Sequence, residues 1–233
     1  MEGVKIKSIQ ITDIDMGKCY FNHGCALSVY KPESGEKILD ILNKNFVKVQ
    51  LHSVCCHHEP KIPHGATIIN NCAGCDRRFR SLYEGIQTIS LWEVLDSIEN
   101  LPLPDYNEMT VSVQDSCSFR CKPQVHAEVR SILKKMNMKI IEAEYSGTKS
   151  ICCGDNFYPK LPVEKVTELQ KKRAAQMPCQ DVVVYCVSCI KSMAIGGKTP
   201  HHMVDLVLNE ETQPQETRLN VYHDELKQYI DKH

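Results

Sequence analysis

The sequence predicts an α/β protein of two pseudo-repeated βαβ-type domains, each with a small parallel sheet and with cysteines at the strand C-terminal ends. Three observations predict it. Short apolar, β-branched runs alternate with stretches of helical period, which is the pattern of parallel βαβ units. Cysteines recur twice in one order: Cys25, Cys55-Cys56, Cys72-x-x-Cys75, and then Cys117, Cys152-Cys153, Cys186-x-x-Cys189. A Pro-rich break at 99–109 (ENLPLPDYNEM) separates the two sets. This reads as an internal duplication, with one domain over 1–100, a linker over 101–108 and a second domain over 109–233.

In the first half, 33–46 has helical spacing, 47–51 reads as a strand leading to Cys55-Cys56, and 66–70 (ATIIN) as a strand ending near Cys72. A helix follows at 91–98. The loop HHEPKIPHG stands where a helix between the pair and the Cys-x-x-Cys would be, and this interval is about half as long as in the second copy.

In the second half, 109–113 (MTVSV) reads as a strand before Cys117. Val125, Val129, Ile132, Leu133 and Met136 give 123–136 a helical stripe. A strand at 138–143 is followed by a loop to Cys152-Cys153-Gly154. Pro162 opens a charged helix over 162–176, with Val163, Val166 and Leu169 as its expected inner face. The run 181–185 (DVVVY) is a buried-type strand ending at Cys186. A short helix, a stop at Gly196-Gly197 and a helix over 202–209 follow, the last matching 91–98. Residues 211–219 read as a surface loop, and 222–233 as a terminal helix without legible chemistry.

Right-handed crossovers put all strand C-terminal ends at one edge of a parallel sheet, where ligands of open α/β sheets collect. Each five-cysteine set is therefore expected to converge at one rim.

Composition narrows the function classes. Over 233 residues, apolar types are 42%, charged types 24%, and the net charge is −1. That balance disfavours a nucleic-acid partner. The longest apolar run, 182–187, is far short of a membrane span. The opening MEGVKIKSIQITDIDMGKCY has no continuous apolar core of a signal peptide. Thirteen cysteines are an odd number and exclude complete intrachain pairing. A cytoplasmic, reducing address is expected, where many cysteines mean metal binding or redox chemistry. The chain has no GxGxxG loop, so no flavin site is legible, and no C-x₂-C-x₂-C ferredoxin run. Electrons are expected from a partner subunit, ferredoxin-like or a flavoprotein.

Thiolates select iron–sulfur clusters, zinc or Cu(I). Five exceed the four ligands of a structural zinc ion or of an ordinary cubane. Adjacent cysteines suit one tetrahedral ion poorly, because their side chains diverge, whereas a larger irregular cluster can use both.

The order Cys, Cys-Cys-Gly, Cys-x-x-Cys resembles the CCG cysteine-rich domain family, whose best-known member is the B subunit of heterodisulfide reductase. The residues that carry the resemblance are VQDSC (113–117), Cys152-Cys153-Gly154, and VVVYCVSC (182–189), with His23-Gly24-Cys25 and CAGC (72–75) in the first half. It covers roughly residues 10–210. It implies an iron–sulfur redox protein with one or two [4Fe–4S] clusters of non-cubane type. One would be held by Cys25, Cys55, Cys56, Cys72 and Cys75, the other by Cys117, Cys152, Cys153, Cys186 and Cys189. In the heterodisulfide reductase subunit, two such clusters cleave a disulfide reductively, which implies a disulfide substrate here. The first copy departs from the pattern in reading Cys-Cys-His. Two alternatives are a pure electron-transfer subunit and a zinc-stabilised interaction module.

Cys19, Cys121 and Cys179 fall outside the repeat and read as simply buried thiols, with Cys19 a competitor of Cys25 for first ligand. His52, His57, His58 and His64 crowd the first pair. They read as a polar loop, with His57 singled out as a catalytic proton donor to a leaving thiolate. Gly154 is expected at a close backbone approach to sulfide or in a plain turn. The run 76–80 (DRRFR) reads as a solvated helix face.

Overall fold

A computed structural model describes residues 14–214 and 218–233 of the chain. The expectations for the first thirteen residues and for 215–217 of the surface loop lie outside the described residues.

The first half holds strands β1 (Cys19–Asn22), β2 (Gln50–Leu51), β3 (Thr67–Asn70) and β4 (Gln87–Ser90). They are all parallel and ordered β2-β1-β3-β4. Helices α1 (Cys25–Tyr30), α2 (Pro32–Asn45), α3 (Ala73–Leu82) and α4 (Leu91–Ser97) connect and cover them. The second half repeats the plan with β5 (Thr110–Gln114), β6 (Lys139–Ile140), β7 (Asp181–Val184) and β8 (Thr199–His202), ordered β6-β5-β7-β8 and again parallel. Its helices are α5 (Pro123–Lys135), α6 (Val163–Ala175), α7 (Val187–Ile195) and α8 (Met203–Val207). A last helix, α9 (Leu219–Lys232), touches both halves.

Local chemistry explains these elements. Val182, Val183 and Val184 are all fully buried, as a strand with both faces covered must be. α2 and α5 each carry Pro in the first turn, where the missing N–H is harmless. α5 buries Val125, Val129, Ile132 and Leu133 along one stripe. Ser90 and Glu93 form a capping box that starts α4.

Four expectations need correction. The strands predicted at 47–51 and 138–143 shrink to two residues each, because β2 and β6 lie at sheet edges and pair on one side only. Strands β1, β4 and β8 went unseen, being short and carrying Asn22, Gln87 and Pro200; β8 is an edge strand, where Pro is tolerated. The inner face of α6 is Val166, Gln170, Arg173 and Ala174, whereas Val163 is 39% exposed. In the run 76–80, Asp76 is fully buried, not solvated.

One contiguous apolar core includes residues of both sheets, from Ile14 to Val207. Trp92 of α4 meets Tyr185, just beyond β7, edge to face at 6.4 Å. Lys122 Nζ reaches Asp76 in α3 at 2.9 Å, a buried ion pair between the halves. In each sheet the chain leaves the first strand to one side and returns on the other, so a switch point lies between β1 and β3 and between β5 and β7.

Candidate functional site

The cysteines sit at those switch points. Cys25 opens α1 three residues after Asn22 ends β1, and Cys117 stands three residues after Gln114 ends β5. Cys72 and Cys186 are the N-caps of α3 and α7, with Cys75 and Cys189 in the first turns. The Cys-Cys pairs lie in the loops beyond β2 and β6. N-terminal helix turns present free N–H groups and the positive end of the dipole, which favours thiolate.

Each set forms one chain of thiol hydrogen bonds. In the first, Cys25 meets Cys55, Cys55 meets Cys56, Cys56 meets Cys75, and Cys75 meets Cys72. In the second, Cys117 meets Cys152, Cys152 meets Cys153, Cys153 meets Cys189, and Cys189 meets Cys186. The order is the same station by station. Among the described residues, no group of three or more His, Cys, Asp or Glu side chains is set to hold a single metal ion. All thirteen cysteines are free.

The hydrogen bonds favour thiolate at the first member of each pair. Hydrogen bonds from Cys25 and then Cys56 hold the Cys55 thiol down to about 2. Those from Cys117 and then Cys153 hold Cys152 down to about 2. The donors Cys25 and Cys117 are pushed up by the same bonds and by burial. A bond from Cys75, together with the peptide N–H groups of Cys75 and Gly74, lowers Cys72 to about 7 against the opposing effect of burial. Peptide N–H groups also reach the pairs: His57 donates to Cys55, and Gly154 and Asn156 donate to Cys152. Soft sulfur donors ringed by N–H groups suit an iron–sulfur cluster, whose potential such bonds help to set.

The loops that carry the pairs are clamped alike. Asn22 Nδ2 donates to the carbonyl of Val54 at 3.3 Å, and Gln114 Nε2 to that of Ile151 at 3.0 Å, each just before the pair. Asn71 donates to His23 O at 3.3 Å. In the second half the corresponding residue, Tyr185, donates to Asp115 Oδ1 at 2.8 Å. Asp115 also accepts from both Arg130 Nη atoms at 2.9 Å, from the Gly147 amide at 2.6 Å and from His126. Burial opposes its ionisation, but the hydrogen bonds of His126 and Arg130 prevail and hold the carboxyl well below the usual range. Sequence reading passed over Asn22, Gln114 and Asn71, since an amide at a strand end looks like any turn residue.

Arg173 was also missed, because α6 reads as a solvated charged helix. It is 2% exposed, donates to Gln114 Oε1 at 2.6 Å and Tyr145 O at 2.8 Å, and lies within electrostatic reach of Cys189, Cys153 and Cys152.

The remaining expected residues sort by environment. Cys19 is buried in β1, where desolvation pushes its thiol up to about 11. Cys179 is half-buried and its N–H donates to Ser112. Cys121 is exposed, contrary to the buried reading, and lies 3.9 Å from Arg80. His52 is buried between Asn22 Nδ2 and the Pro60 carbonyl, which makes it part of the scaffold. His58 bonds to Ile230 O at 2.8 Å. His57 and His64 are exposed.

No curated protein matches the chain. Residues 111–194, which carry Cys117, Cys152, Cys153, Gly154, Cys186 and Cys189, match the cysteine-rich domain family CCG.

Proposed function

We propose that the chain is an iron–sulfur redox protein in which each five-cysteine set holds one non-cubane [4Fe–4S] cluster and the pair reduces a disulfide with electrons from a partner subunit. The supporting observation is the thiol chain itself, which repeats in one order across two sheets. α1, which Cys25 opens, packs against α7, which Cys186 caps, and this supports a reading in which the two sets act together. Once bound, the clusters would supply the two electrons that convert one disulfide into two thiolates.

The chain's own groups have definite tasks in this reading. The N-termini of α3 and α7 and the amides of His57 and Gly154 stabilise negative sulfur. Arg173 supplies a fixed positive charge to the second set. The exposed imidazole of His57, beside Cys55, offers a proton to a departing thiolate. A reducing setting belongs to this reading, because cysteines that hold a cluster must stay unpaired. Among the described residues, no helix is long and apolar enough to cross a membrane.

The test is anaerobic purification with iron, sulfide and zinc quantification and electron paramagnetic resonance. About eight irons per chain are expected for two clusters. Stoichiometric zinc without labile sulfide would overturn the proposal. Cluster-loaded, reduced protein that turns over no disulfide would leave electron transfer as its role.

A further inference from the structure

The second Cys-Cys loop is braced by a helix that the first half lacks. Gln170 of α6 lies directly against Gly154, and Arg173 of α6 donates to Gln114 Oε1, whose side chain also holds Ile151 O, the residue before the second pair. In the first half, the segment between Cys56 and β3 contains turns and no helix. Its loop leaves β2, a strand of two residues at a sheet edge, and is held on one side by Asn22 and by Arg78 of α3, which donates to Cys56 O at 3.2 Å.

The last helix meets that loop instead. The amide of Cys55 donates to His233 O at 3.1 Å. His58 Nε2 bonds to Ile230 O at 2.8 Å. The Ile230 side chain packs on the apolar cluster of Cys55, Cys56, Ile68, Cys75 and Phe79. Tyr229 lines a small cavity that Cys25 and Cys55 also border.

The other end of α9 is anchored in the second half. Tyr222 is 7% exposed, and its hydroxyl lies 3.1 Å from Ser188 Oγ. Lys191 Nζ stands 3.8 Å from the Tyr222 ring centroid and 2.6 Å from Asp155, which also meets His223 at 3.3 Å. The Lys191 cation over the Tyr222 face and the contact of His223 with Asp155 hold the helix start on the second half.

We propose that α9 is a positioning element of the first thiol set alongside α3: it spans from the second half and supplies, through its last turn, the brace that α6 supplies to the second set. The thiol placement follows from geometry alone; only the iron readout below rests on the proposed function.

The test uses the full chain with Ile230→Pro, which removes an N–H and disrupts the last turn of α9. Alkylation of metal-free, reduced protein is followed cysteine by cysteine with iodoacetamide and mass spectrometry. Cys55 and Cys56 are expected to react about tenfold faster, and Cys152 and Cys153 to change by less than about twofold, as local opening of one site requires. Equal acceleration of both pairs, or of neither, would overturn the assignment. His58→Ala is a milder second variant, expected to accelerate the same two cysteines by a smaller factor should Ile230→Pro fail to fold; no selective acceleration there counts against the assignment. In loaded protein, iron is expected to fall from about eight to about four with Ile230→Pro. Iron-free wild type would refute the cluster reading, while the alkylation result would still decide the role of α9.

Discussion

Gly154 lies so close to Gln170 that a Cβ at position 154 would stand 2.9 Å from Gln170 Cγ and 3.0 Å from its backbone nitrogen. The residue also has φ of 106°, in the region that disfavours side chains. Its first-half counterpart, His57, follows Cys56 and is exposed, and no helix runs between Cys56 and β3. The change from Cys-Cys-Gly to Cys-Cys-His thus follows from the absence of a helix equivalent to α6. Gly154→Ala is expected to cost about 1–3 kcal/mol through overpacking and strain, read by urea denaturation. His57→Gly is expected to change stability by less than about 0.5 kcal/mol, as for an exposed site. Equal effects would refute this account.

Cys153→Ser removes the thiol that joins Cys152 to Cys189. The expected result is loss of one paramagnetic centre and a fall from about eight irons to about four. An unchanged spectrum would show that the ligand assignment is wrong.

Lys122 is the cation that enters α3 from the second half, 2.9 Å from the fully buried Asp76. Arg80 gives Asp76 a second, longer contact of 3.4 Å. Removing one partner of a buried pair leaves the other uncompensated, so Lys122→Met is expected to destabilise by about 3 kcal/mol. A double variant, Lys122→Met with Asp76→Asn, should recover part of that loss. A double variant no more stable than Lys122→Met would refute the pairing.

Glu128 supplies a pH dependence away from the cysteines. Burial first, and then the charges of Glu93 and Asp96, push its carboxyl up from 4.5 to about 8. A raised acid binds its proton more tightly when folded. Its favourable contribution is therefore complete below about pH 4.5 and is lost as pH rises towards 8. Glu128→Gln should be more stable than wild type at pH 9 by about 1 kcal/mol, after allowance for solvent screening. The difference should vanish near pH 4, and thermal unfolding at the two pH values measures it.

Arg173 places a buried positive charge within electrostatic reach of Cys189, Cys153 and Cys152. Arg173→Met is expected to lower the reduction potential of the second centre, because removing positive charge favours the oxidised state. The first centre should be unaffected. A redox titration followed by electron paramagnetic resonance separates the two.

The sequence by itself determined the α/β class, the doubled cysteine order and the strand ends before every thiol station except Cys25, whose strand β1 is too short to leave a pattern. Those features are local: valine runs such as 182–184, the stripe from Val125 to Leu133, and cysteine spacing all leave periodic or compositional traces. Tertiary structure alone decided which groups surround the thiols. Asn22 and Gln114 clamp loops about thirty to forty residues away. Asp76 finds Lys122 across the two halves, and α9 returns to Cys55. A buried polar residue is chosen by the partner that satisfies it, and that partner is known only once distant loops meet. For the same reason Arg173, on a helix patterned like a solvated one, became legible as a neighbour of sulfur only in the folded chain.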